Sequence, residues 1–345
     1  MCVLVDDVGS FPLPPSTNRS LFEDAYILAR KAILEGDDIM KDDFLATNFY
    51  QIIIESLKKK YDSGLDVISY PQHYDMHMQF TGAIHDAMEE GSYVVDENKA
   101  VIPEMYVIKE EARRLYEYAG DKIALRVCIT GPMELYLKEI GPTAYRDVLM
   151  MFAETVRLFA KNSVLNSKYI ETKVIALDEP SFGFRDVNAD KETIRKILER
   201  AFEVSGVTKQ IHLHSPSRIK DILNVKNIDV FSLEYAASPR NIRMVSKRDL
   251  EEADKRVRVG VSRTDIHSLT AELHDQGIYH PTREQLVESE KTIKKRFQKA
   301  KRKYGNTMTF TGPDCGLGGW PNSETAQLLL ERTVSAVKSV ERNSP

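Results

Sequence analysis

The sequence predicts an α/β fold, a single (β/α)8 barrel spanning residues 1–345. Three observations predict it. Eight short β-branched runs are spaced along the chain, segments with a helical period lie between them, and each run passes from apolar to polar residues at its C-terminal end.

The runs are CVLVDDVGSFP (2–12), GLDVISYP (64–71), IALRVCITGP (123–132), KVIALDEPSFG (173–183), KQIHLHSPS (209–217), IDVFSLEYAAS (228–238), RVRVGVSRTD (256–265) and NTMTFTGPDCG (306–316). Their Val- and Ile-rich cores are too short for helices and suit buried parallel strands. Residues 13–60 separate the first two runs and hold two helices, an elaboration of the basic unit. Residues 142–163 carry Val148, Phe152, Val156 and Phe159 on one helical face. Residues 190–203 and 284–304 place charge on one side and aliphatics on the other, so the basic stretch KKRFQKAKRKY (294–304) reads as a solvated helix face. A last helix over 323–341 has Ser323 and Glu324 as capping residues. A doubly wound open sheet is the competing fold, but neither GxGxxG nor GxxxxGK[ST] occurs, which removes the phosphate-loop argument for a nucleotide.

Composition narrows the function classes. A net charge of −4 argues against a nucleic-acid partner. No apolar run approaches the ~18 residues that span a bilayer, so no membrane role is expected. The N-terminus lacks a signal-peptide pattern, and three cysteines (Cys2, Cys128, Cys315) make no disulfide framework. The expected setting is the reducing cytoplasm.

In a barrel of this kind, chemistry sits at the C-terminal ends of the strands. Those ends collect Ser10, Gln72, His73, Thr130, Asp178, Glu179, His212, His214, Glu234, Asp265, His267, Asp314 and Cys315. Any one of them has a plain structural explanation; a lone strand-end histidine is more often a hydrogen-bonding residue than a ligand. As a set at one rim they point to a metal. Strand alternation turns His212 and His214 to the same side. Glu234 ends the next strand, ~4.8 Å away in the sheet, and Cys315 ends the eighth. Imidazole, carboxylate and thiolate together suit tetrahedral Zn2+, which deprotonates a coordinated thiol.

The motifs VGSFP (8–12), GLDVIS (64–69), DEP (178–180), HLH (212–214), SLEYA (232–236), VGVSRTDIHS (259–268) and PDCGL (313–317) resemble those of the cobalamin-independent methionine synthase family. The resemblance is to its catalytic C-terminal barrel and to the shorter archaeal-type members made of that barrel alone. It covers nearly the whole chain and implies a barrel related to uroporphyrinogen decarboxylase, a catalytic zinc and methyl transfer to a thiol. It further implies His212, Glu234 and Cys315 as zinc ligands, Asp178 as the holder of a substrate amino group, His267 as a proton donor, and Ser10 as a substrate contact. Glu179 adjoins Asp178 and is expected to bind substrate with it.

Two positions depart from the family pattern. His214 stands where the family has cysteine, giving a more positive site with a competent ligand. Pro71–Gln72 stands where the family has glycine–glutamate, so a neutral amide replaces a carboxylate that helps hold the substrate ammonium. The N-terminal barrel that helps bind folate in the longer enzymes has no counterpart here. The expectation is therefore a zinc-dependent S-methyltransferase, with homocysteine as acceptor and a methylated pterin or a corrinoid protein as donor. A zinc–thiolate enzyme acting on another thiol, of the coenzyme M kind, is the alternative, followed by a catalytically altered barrel that serves as a binding protein.

Overall fold

The computed structural model describes residues 2–342 and forms one (β/α)8 barrel. Its strands are β1 (Leu4–Val5), β2 (Ile68–Ser69), β3 (Ile123–Thr130), β4 (Ile170–Asp178), β5 (Thr208–Leu213), β6 (Val230–Leu233), β7 (Arg256–Ser262) and β8 (Met308–Pro313), each overlapping one of the eight predicted runs, with β4 and β5 starting three residues and one residue earlier than predicted. All neighbours pair in parallel, in the order β1-β8-β7-β6-β5-β4-β3-β2. Parallel bridges Asp6–Val67 and Ser10–Gln72 close the ring between the two shortest strands.

Helices form the outer layer because their apolar residues recur at helical spacing. In Arg146–Asn162 the buried face includes Phe152, Val156 and Phe159, as the periodicity requires, while Val148 is only partly buried. Glu290–Tyr304 buries Ile293, Phe297, Ala300 and Tyr304 and leaves Lys291, Lys295, Lys299 and Arg302 exposed, its other basic residues being half-buried. The elaboration between β1 and β2 consists of helix Arg19–Glu35 and a second helical stretch ending in Gln51–Asp62, entered through a wide turn at Ala46–Tyr50. The last helix, Ser323–Glu341, is capped one residue earlier than expected. The Asn322 side chain accepts from the Thr325 N–H, and Ser323 is already the first helical residue. Asparagine is as good an N-cap as serine, and the first of two adjacent candidates took the role.

The barrel interior is charged. Asp6, just after β1, accepts from Arg126 Nη1 on β3 (2.8 Å) and from Arg258 Nε on β7 (2.6 Å), and all three side chains are fully buried. Arg126 also reaches Gln210 Oε1 on β5 (2.9 Å), and Arg258 donates to the Pro313 carbonyl of β8 (3.0 Å). A second buried pair, Lys60 Nζ and Asp7 Oδ2 at 2.8 Å, lies at the β1–β2 closure, where the same ammonium reaches Gly9 O (2.7 Å) and Ser69 Oγ (2.8 Å). Charges this deep persist only when paired and hydrogen-bonded. They tie together strands that backbone bonds alone hold weakly.

Candidate metal and substrate site

Four side chains converge at the C-terminal rim. His212 lies in β5 and His214 one residue beyond it, Glu234 directly follows β6, and Cys315 follows β8. One ligand atom from each lies within 4.8 Å of the others. His214 Nε2 is 3.5 Å from both Glu234 Oε1 and Cys315 Sγ. His212 is held through Nδ1 by Ser232 Oγ of the neighbouring strand at 3.1 Å, while its Nε2 is buried without a hydrogen-bond partner. An unpaired buried nitrogen beside imidazole, carboxylate and thiol is what a metal ion would satisfy. The donor set fits zinc.

The surroundings favour the uncharged form of every donor. Burial pushes Glu234 up to about 8, helped by the nearby carboxylates of Asp314 and Asp265. Burial also drives the Cys315 thiol well above its ordinary range, with Glu234 adding to the effect. His212 is held well below the usual imidazole value by burial, the His214 ring and the two interior arginines, and His214 is lowered by burial. Without a cation, the cluster is therefore a set of neutral groups.

Turns place these donors. Asp314, fully buried next to Cys315, accepts from the backbone N–H groups of Tyr235 (2.8 Å), Ala236 (2.9 Å) and Ala237 (2.7 Å). It thereby fastens the turn carrying Glu234 to the turn carrying Cys315. Asn241 Nδ2 bridges the carbonyls of His214 (2.8 Å) and Glu234 (3.0 Å). Gly316 is required next to the cysteine, because a Cβ there would sit 2.1 Å from Ser10 Oγ.

A cleft of about 470 Å³ opens over this cluster, lined by Ser10, Gln72, Asp178, His212, His214 and Cys315 among others. Asp178 Oδ1 is buried without a partner, and burial raises the carboxyl to about 6 against the pull of Arg126 and Arg258. Gln72 donates its Nε2 inward to Gln79 Oε1 (2.7 Å) and Tyr70 Oη (3.2 Å), and its Oε1 takes no hydrogen bond from the described residues. Ser10 Oγ accepts from the Gly318 N–H at 3.2 Å.

Glu179, His267 and His73 are placed differently. Glu179 accepts from Met133 N (3.0 Å) and Glu134 N (2.8 Å) at the start of helix Pro132–Glu139, the favourable end for a carboxylate, and does not line the cleft. His267 is exposed on helix Ile266–Asp275 and is also outside the cleft lining. His73 lines it, but its ring is engaged by Phe11 O (2.7 Å) and Ser56 Oγ (2.9 Å), and burial lowers it to about 3. That environment keeps His73 neutral.

Sequence reasoning missed the interior charges and the cleft residues Arg19 and Glu23, which come from the inserted helix Arg19–Glu35. Arg126 and Arg258 did leave a signal: each interrupts an otherwise apolar strand. Arg19 and Glu23 left none, because nothing in a surface helix announces that one turn overhangs a cleft.

Neither a family model nor a curated protein sequence matches the chain. Among solved structures, the endo-1,4-beta-mannanase from Rhizomucor miehei aligns at a TM-score of 0.44 and 12% identity, covering 95% of each chain. A GH113 beta-1,4-mannanase aligns at 0.40 and 9%, covering 98% of this chain and 100% of that one. A B12-independent methionine synthase from Shewanella sp. W3-18-1, in complex with selenomethionine, aligns at 0.62 and 16%, covering 99% of this chain and 98% of that one. Over its whole length, the chain shares the fold of that methionine synthase barrel.

Proposed function

We propose that this protein is a zinc-dependent methyltransferase that places a methyl group on a thiol, homocysteine in the first instance, from a methylated pterin or corrinoid donor. The observation that carries the reading is the convergence of His212, His214, Glu234 and Cys315 beneath an open cleft, with His212 Nε2 buried and unpaired. The fold shared with a B12-independent methionine synthase is in keeping with it.

His212, His214, Glu234 and Cys315 would hold the zinc. When bound, zinc supplies the charge that keeps a thiol deprotonated and nucleophilic at neutral pH. Asp178 Oδ1 and Gln72 Oε1, both without protein partners, offer acceptors to the amino group of an amino-acid thiol. Ser10 lines the same wall of the cleft. His267, exposed close to the rim, is the proposed proton donor to a departing pterin, reached when the donor docks over the helix that carries it.

The acceptor pair at Asp178 and Gln72 favours an amino thiol over an amino-free one, because a ligand lacking the N–H groups leaves both oxygens unsatisfied. Elemental analysis of the purified protein is expected to give about one zinc per chain, falling in His212→Ala and Cys315→Ser. Full zinc content in both variants would remove the site. Methyl transfer to homocysteine from methylcobalamin or methylated pterins is the activity to assay, with donor-only controls.

A further inference from the structure

We propose that Tyr70 and Gln79 are positioning residues that lock the Gln72 amide with its carbonyl oxygen toward the cleft, so that the site selects thiols bearing an N–H donor. The proposal rests on the thiol-transfer reading of the cleft and names the class of thiol.

A glutamine amide has two chemically opposite ends, and either can face a ligand unless the protein fixes one. Here the hydrogen-bond bookkeeping leaves a single choice. Tyr70 has one hydroxyl hydrogen, and its shortest contact is 2.7 Å to the backbone carbonyl of Cys128 in β3. A carbonyl can only accept, so that hydrogen is committed. The Tyr70 oxygen, 3.2 Å from the inner nitrogen of Gln72, is therefore an acceptor and demands an N–H. Gln79 makes the same demand from the other side. Its Nε2 points to Glu104 Oε2 at 3.3 Å, which accepts as the carbonyl oxygen of the buried acid, and its Oε1 is the end presented to Gln72, at 2.7 Å.

Both anchors are rigid. Cys128 O belongs to the sheet, and Glu104 is fully buried on helix Pro103–Glu110. Tyr70 is fully buried, and Gln79 and Gln72 are 2% and 5% exposed, so a reversed Gln72 amide would set its oxygen against two acceptors with no water to relieve them. The Gln72 nitrogen thus satisfies two inward acceptors, which leaves its oxygen as the end available to the cleft that Gln72 and Asp178 both line. A neutral carbonyl aimed this way does part of the work of the missing carboxylate. It accepts from an ammonium or amine and offers nothing to a sulfonate or carboxylate in the same place.

The test uses the zinc-loaded full chain and calorimetric binding of two probes, homocysteine and 4-sulfanylbutanoate, which has the same carbon chain without the amino group. The wild-type protein is expected to prefer homocysteine. Tyr70→Phe and Gln79→Met should each cut that preference by about tenfold while leaving 4-sulfanylbutanoate affinity within about twofold. Adding Gln72→Glu to Tyr70→Phe should restore it, because a carboxylate presents an oxygen in either rotation; a merely structural role for Tyr70 would not be rescued in this way. An unchanged preference in both folded single variants overturns the relay alone. Failure of both thiols to bind the wild-type protein overturns the thiol reading itself.

Discussion

Glu104 is a carboxyl group buried in the barrel wall, and burial raises it from the ordinary 4.5 to about 8. Among the described residues its side chain is hydrogen-bonded by the Gln79 amide, and its Oε1 has no partner. Between pH 4.5 and 8 the folded chain holds a proton there that the unfolded chain has released. Stability therefore falls as pH rises through this window, by about 1.4 kcal/mol per pH unit and about 5 kcal/mol in total. Glu104→Gln keeps the shape and an acceptor oxygen but cannot ionise. At pH 5 the variant and the wild type are expected to be similarly stable. By pH 9 the variant should be more stable by several kcal/mol, read from urea-unfolding midpoints at pH 5, 7 and 9. Taking the difference between the two proteins cancels every other titrating group. A wild-type-minus-variant difference that stays constant from pH 5 to pH 9 would refute the assignment of Glu104 as a protonated buried acid.

Two further outcomes follow from the interior and the metal cluster. Asp6→Ala leaves two buried guanidinium groups without their shared carboxylate and should cost about 3–5 kcal/mol in chemical unfolding; a loss below about 1 kcal/mol would mean that the network is not holding the barrel. Because Glu234 and Cys315 are both protonated at pH 7 and the two histidines neutral, zinc binding should release about two protons per chain, measured by calorimetry in buffers of different ionisation heat. Release of none would contradict the ligand set.

The barrel was legible in the sequence because parallel strands buried on both faces must be continuous apolar runs, and eight such runs stand out between helical segments. The clustering of His212, His214, Glu234 and Cys315 was legible because strand alternation and the common rim bring them together without any knowledge of loop shape. What stayed hidden depends on tertiary detail. Glu179 and Asp178 are adjacent in sequence, yet one faces a helix N-terminus and the other the cleft. Ser323 and Asn322 are both good caps, and only the local chain path chooses between them. The direction of the Gln72 amide depends on residues from β3 and two outer helices, so no local pattern could carry it.

The ring is not uniform around its circumference. Strands β1 and β2 have two residues each and pair with each other through isolated bridges, whereas β3 and β4 run side by side for most of their length. The closure is an ionic latch, with Lys60 clasping Asp7, Gly9 and Ser69 across the gap. Few backbone bonds cross this seam, so the buried side-chain bonds carry most of the closure. Ser10 and Gln72 form one of the bridges across that gap and also line the cleft. The ion pair that closes the ring therefore also fixes one wall of the cleft, so a change at Lys60 or Asp7 is expected to be felt at Ser10 and Gln72.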